Sequence, residues 1–194
     1  MRQALIRDKR YAGLCLLPAA QTRDKDAVNP EQMREVCKEL SAEFDYVIID
    51  CPAGIEQGFK NAIAGADRAI IVATPEVSSI RDADRIIGLL ESEGKVDIKL
   101  IVNRVRSNMV KKGDMMGIDD MIDILGIELL GVIPECEHII VSTNRGEPAV
   151  ASSVGYASIA YRNIVRRVLG EKVAFMEMKS RGGFMERFKG LFSF

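Results

Sequence analysis

The sequence predicts a doubly wound α/β fold, a mostly parallel sheet with flanking helices. Three observations predict it. Five short apolar runs are continuous rather than alternating, as strands buried on both faces are. Segments with apolar residues at helical spacing lie between the runs, and strand–helix alternation generates parallel sheets. Each run leads into polar or turn-forming residues, which a parallel sheet gathers along one edge.

The first run is "LCLLPA" (14–19), followed by "QTRDKDA". Asn29 and Gln32 then form a capping-box pattern with Pro30 at the first helical position. Met33, Val36, Cys37, Leu40 and Phe44 continue that helix at helical spacing. "YVIID" (46–50) is the second run and opens into "DCPAGIE"; "RAIIVA" (68–73) is the third and opens into "TPEVSS". Ser79 with Asp82 gives a second capping signal, and Ile80, Ala83, Ile86, Ile87 and Leu90 supply the apolar face behind it. "IKLIVN" (98–103) and "LLGVIP" (129–134) are the last two runs, with a short helix expected over 118–125 between them. A longer helix is expected over 153–169; its apolar face carries Ile164, Val165 and Val168, and the basic residues of "RNIVRR" (162–167) form its solvated face. Residues 1–170 thus read as one domain, 171–183 as a flexible linker ending in Gly182-Gly183, and 184–194 as an amphipathic helix.

Composition narrows the function. A net charge of −1 over 194 residues gives no case for nucleic-acid binding. The charge is uneven: from Lys172 onward five basic residues face two acidic ones, a surplus of three. Cys15, Cys37, Cys51 and Cys136 form no C-x-x-C pair and no secretory signal is visible, so reduced thiols in the cytoplasm are expected. No apolar stretch reaches the ~20 residues that a spanning helix needs. His138 has no partner at a catalytic spacing and is expected to be a solvated loop residue.

The tail is the strongest membrane signal. On a helix, Phe184, Phe188, Leu191 and Phe192 fall at i, i+4, i+7 and i+8, with Met185 bordering this face. Arg187 and Lys189 lie off it, suited to anionic headgroups. Burial of one such side chain is worth roughly 1.5–3 kcal/mol, against the cost of ordering a helix shorter than ~12–15 residues. One copy is therefore expected to bind weakly, while two joined copies gain ~10²–10⁴ in avidity. The alternative is a tail that docks on its own domain.

Chemistry is expected at the run ends. In "YVIID", apolar residues close on the Asp50 carboxylate, the Walker B pattern, in which the acid holds a hydrated Mg²⁺ against phosphates. The small residues Pro52, Ala53 and Gly54 follow it. In "VNRV", the Asn103 amide can both donate to and accept from a purine edge.

Together, "TRDKDA", "DCPAGIE", "PEVSSIRDADRIIG", "VNRV", "GVIPE" and "NRGEPAV" resemble the MinD group of ParA-like, deviant-Walker ATPases over nearly the whole chain. The resemblance implies a P-loop NTPase-like fold, ATP and Mg²⁺ as ligands, a homodimer formed around nucleotide, and attachment to the inner face of the cell membrane. It also implies recruitment of the division inhibitor MinC and control by MinE or another topology factor. Residue by residue, it makes Asp50 the Mg²⁺ acid acting through water, and Pro52, Ala53 and Gly54 the switch loop. Asn103 becomes the adenine-reading residue with Arg104 beside it, and Pro134 and Glu135 the base-side loop. Phe184, Met185, Phe188, Lys189, Leu191 and Phe192 become the membrane-binding residues.

The deviant Walker A pattern K-G-G-x-G-K-T occurs nowhere in the sequence, and neither does the first-switch Asp. The chain is therefore expected to begin partway through the family pattern, to carry no catalytic residue of its own and to be ATPase-deficient. Two other functions remain open: a non-enzymatic membrane-binding or protein-interaction fragment, and a different ParA-like ATPase of flagellar number or plasmid partition.

Overall fold

The computed structural model describes residues 4–19, 28–52, 54–151 and 155–176. The expected tail helix over 184–194 and Ala53 lie outside the described residues. The chain divides into two compact units, Met1–Ala66 and Asp67–Phe194.

The first unit carries a small antiparallel pair, β1 (Ile6–Arg7) and β2 (Cys15–Leu16), with Ile6 opposite Leu16. Its turn is closed by the Asp8 N–H donating to the Leu14 carbonyl at 2.9 Å. The Asp8 carboxylate accepts the N–H groups of Arg10 and Tyr11, which hold its pKa below the ordinary value. Helix α1 (Pro30–Ser41) begins as its sequence predicts: Gln32 N–H donates to Asn29 Oδ1 at 2.9 Å and Asn29 N–H to Gln32 Oε1 at 3.0 Å. Helix α2 (Gln57–Ala64), which apolar spacing did not announce, packs on α1. A Cβ at Gly65 would stand 2.5 Å from Cys37 Sγ, so a glycine there permits the close approach. The buried Asn61 amide donates to the Val28 carbonyl at 2.6 Å and accepts from Gln57.

Two expected strands differ in this unit. Of 14–19, only Cys15 and Leu16 are in a strand, and their partner is antiparallel. Residues 46–50 form no strand at all: none of the described residues pairs with them, and Ile48 is 92% exposed. Apolarity alone does not make a strand; the backbone N–H and C=O groups need a ladder partner.

The second unit holds the parallel sheet, β3 (Ala69–Ala73), β4 (Ile98–Val105) and β5 (Glu128–Pro134), in the order β3-β4-β5. Helices α3 (Val77–Ser92), α4 (Ser107–Lys112), α5 (Ile118–Leu125), α6 (Glu137–Asn144) and α7 (Tyr156–Val168) connect and cover it. Central β4 is buried on both faces, with Leu100 and Val102 fully enclosed and Ile101 in the cluster of Leu130, Ile133, Ala160 and Ile164. A Cβ at Gly131 would lie 2.3 Å from Ile164 Cγ1, so β5 and α7 meet only because residue 131 has no side chain. β3 is an edge strand, and its Ile70 and Val72 are exposed.

Two helix expectations are also corrected. α3 starts at Val77, and Ser79 lies inside its first turn, where its hydroxyl accepts the Thr74 N–H at 3.0 Å rather than capping the helix. On α7, Val165 is exposed and Arg167 turns inward, so "RNIVRR" is not uniformly a solvated face.

Candidate functional site

The carboxyl ends of β3, β4 and β5 form the polar edge that a parallel sheet offers a ligand. At the end of β4 the register to β5 shifts between Val102 and Val105, and Arg104 there has φ +58. A bulge combined with a left-handed arginine re-aims side chains at the strand tip. The Arg104 N–H donates to Asn103 Oδ1 at 2.9 Å, which fixes the Asn103 amide against its own backbone. An amide of this kind also carries two N–H donors and a second lone pair on Oδ1.

Glu135 at the tip of β5 binds this end of β4 three ways. Its N–H donates to the Val105 carbonyl at 3.0 Å. Its carboxylate accepts from Arg106 Nε and, at 3.2 Å, from Arg104 Nη2. The Arg106 hydrogen bond, assisted by Arg104, holds the Glu135 carboxyl down at about 2, and Glu135 in turn raises the Arg106 pKa. The Arg106 backbone N–H donates to Met115 Sδ at 3.4 Å. Sequence reading missed Arg106. The signal was present in "NRVRS", two cations flanking a strand end opposite "PE".

In the first unit, Asp50 is exposed at the end of the unpaired 46–50 segment. Cys51 S–H points to the Pro52 carbonyl at 3.6 Å, and partial burial with the neighbouring Asp50 charge raises its pKa. Gly54 has φ +93, a turn that an L-residue resists. A Cβ at Gly58 would meet Pro52 Cγ at 2.7 Å, so α2 begins close against this loop. His138 lies in the first turn of α6 rather than in a loop, half-buried with Nε2 3.4 Å from Ser142 Oγ.

Comparison with known proteins places the chain. A family model described as cellulose biosynthesis protein BcsQ, a ParA-like family, matches residues 5–116. The septum site-determining protein MinD of Bacillus subtilis (strain 168) is 53% identical over 195 residues, covering 99% of this chain and 73% of that protein. The chain belongs to the MinD family. Among solved structures, the MinC:MinD cell division protein complex of Aquifex aeolicus matches with a TM-score of 0.83 and 45% identity, covering 91% of this chain and 71% of that one. MinD of Pyrococcus horikoshii OT3, complexed with Mg-ADP, matches with a TM-score of 0.72 and 26% identity over 86% of this chain and 68% of that one.

Within this MinD-family fold the expected site residues fall into two sets. Asn103, Arg104, Pro134 and Glu135 are brought together in the second unit by the β4–β5 register. Asp50, Pro52 and Gly54 belong to the first unit. No three His, Cys, Asp or Glu side chains cluster for a metal among the described residues. A single carboxylate such as Asp50 is compatible with a cation whose other ligands are water and phosphate oxygens. Among the described residues no helix is long and apolar enough to cross a membrane.

Proposed function

We propose that this chain acts in division-site selection as part of a membrane-associating nucleotide switch of the MinD type. The observation that carries the reading is the β4–β5 tip. Asn103 presents its amide at the tip of β4, next to the tip of β5 that carries Pro134 and Glu135, on a register shift built with a left-handed arginine, in a chain of this family. Asn103 would read the adenine edge with Pro134 and Glu135 lining the base side, and Arg104 would be held beside them by Glu135. Asp50 would hold Mg²⁺ through water, and Pro52, Ala53 and Gly54 would respond to the phosphates.

In this reading Phe184, Met185, Phe188, Lys189, Leu191 and Phe192 attach the protein to anionic lipid on the inner membrane face, and dimerisation around ATP makes two tails act together. A MinC-like inhibitor is the partner, as in the Aquifex aeolicus MinC:MinD complex, with a MinE-like or other topology factor as regulator. The sequence contains no deviant Walker A loop, whose backbone N–H groups and lysines would cradle the phosphates, so this chain alone would not turn over ATP. Mg²⁺-dependent hydrolysis by the pure chain, lost in Asp50→Ala, would overturn that last point.

Two measurements test the proposal. Calorimetry with ATP should show binding that weakens in Asn103→Ala. Co-sedimentation with phosphatidylglycerol vesicles should be lost in Phe188→Glu. Vesicle binding without any nucleotide binding would instead favour a non-enzymatic membrane and interaction fragment, the reading that the missing Walker A pattern supports.

A further inference from the structure

Arg167 does not behave like a solvated helix arginine. Its Nη1 donates to the Leu130 carbonyl on β5, its Nε to Val173 O and its Nη2 to Ala174 O, each at 2.9 Å. Its guanidinium carbon lies 4.1 Å from the centre of the Phe175 ring, within the range of a cation–π contact. One side chain therefore ties the segment after α7 to the middle of the sheet. The segment is held at both ends. Glu171 pairs with Arg166 at 2.7 Å, and Met176 packs against the cluster of Ile101, Leu130, Ile133, Ala160 and Ile164. Phe175 and Met176 also close a cavity of about 30 Å³, whose walls include Arg167 and Pro134. Residues 171–176, which open the expected linker, are thus anchored over their length.

The anchor is built from a few separate contacts rather than a backbone ladder. It consists of backbone carbonyls, one ring and one thioether side chain on a strip with no strand or helix of its own. One guanidinium serves three of these contacts, so they are made or lost together.

We propose that residues 171–176 form a latch, keyed by Arg167, that sets the length of chain between the second unit and the C-terminal segment from Phe184 onward. With the latch closed, Met176 is held to the second unit, and the chain length from it to Phe184 is at most about 29 Å. With it open, the chain length is counted from Gly170 instead and grows to about 50 Å. The wall shared with Pro134 places the latch against the same loop that lines the proposed base site. The latch itself does not depend on that reading. Only its consequence for membrane attachment rests on the proposed function.

The test is tryptic cleavage of the full chain after Lys172, resolved by mass spectrometry, with cleavage after Lys99 in β4 as the internal report on folding. Arg167→Met keeps the stem but removes every donor; Met176→Asp disturbs the latch from its other end. Each is expected to speed cleavage after Lys172 at least tenfold with the Lys99 rate unchanged. Should Arg167→Met accelerate both sites equally, Met176→Asp decides the matter. Wild-type rates after Lys172 in Met176→Asp, or an equal rise at Lys99 in both variants, would overturn the latch. Wild-type chain that fails to sediment with phosphatidylglycerol vesicles would remove the membrane reading while leaving the Lys172 rates to judge the latch separately.

Discussion

Glu135 at the end of β5 and Arg106 just past the end of β4 share a charge-assisted hydrogen bond, with Arg104 on the carboxylate's other oxygen. This pairing holds the Glu135 carboxyl at about 2, below its ordinary 4.5. A depressed carboxyl pKa stabilises the fold above the unfolded value, and that stabilisation disappears as pH falls through the folded one. The gap in denaturation midpoint between wild type and Glu135→Gln should therefore be full at pH 7, shrink below pH 4.5 and close near pH 2. Both arginines are exposed, so added salt should narrow the gap at pH 7 as well. A gap independent of pH would mean that Glu135 contributes shape rather than charge.

The start of α1 makes a second prediction. Asn29 and Gln32 satisfy each other's backbone N–H groups, and Pro30 lacks the donor that would otherwise be orphaned. Replacing Asn29 with Ala removes the acceptor for Gln32 N–H and should cost roughly 0.5–2 kcal/mol. Replacing it with Asp or Ser should cost much less. Chemical denaturation followed by far-UV circular dichroism measures both, and equal losses for Ala and Ser would contradict the cap.

These two features show what was legible in the sequence. The Asn29 cap is local: three residues specify it, and the structure contains it as written. The runs at 68–73, 98–103 and 129–134 became the parallel sheet because each finds a neighbour within the second unit. The equally apolar run at 46–50 did not, because pairing is a property of two segments and only one can be read at a time. At the site, residue types pointed to Asn103, Arg104, Pro134 and Glu135. The bulge that re-aims them and the pairing of Arg106 with Glu135 come from register, which the sequence does not display. The role of Arg167 is hidden in the sequence for a related reason. An arginine beside two others on an exposed-looking helix face reads as solvated, and its acceptors, the Leu130 carbonyl on β5 and the Val173 and Ala174 carbonyls of the returning segment, are all distant from it in the helix pattern.

The β5–α7 contact is unusually intolerant. With Ile164 Cγ1 at 2.3 Å and Cδ1 at 2.8 Å from the position of a Cβ on Gly131, an added methyl must displace a buried side chain. Gly131→Ala should cost ~1–3 kcal/mol, the usual range for overpacking. The double variant Gly131→Ala with Ile164→Val should recover part of that loss, because Val sheds the outer methyl. If Ile164→Val adds its own loss in full, the two residues are not coupled and the contact does not limit packing.

The open side of the sheet leads to a solubility prediction. β3 is the edge strand of the described sheet, and its Ile70 and Val72 are 47% and 59% exposed. A short apolar edge with unpaired backbone groups is a template for another chain, and natural edges are commonly protected by a lysine. Beside it, Ser78, Ser79, Asp82, Ala83 and Ile86 on α3 line an open groove with Ile70 and Val72, and the two β3 side chains stay largely exposed. Sedimentation velocity over a concentration series should show the wild-type chain self-associating, and Val72→Lys should shift it toward monomer without lowering its melting temperature. The substituted side chain is already in solvent, so the change removes stickiness rather than core. A monodisperse wild-type monomer with a cooperative melt would show that this edge is protected in solution.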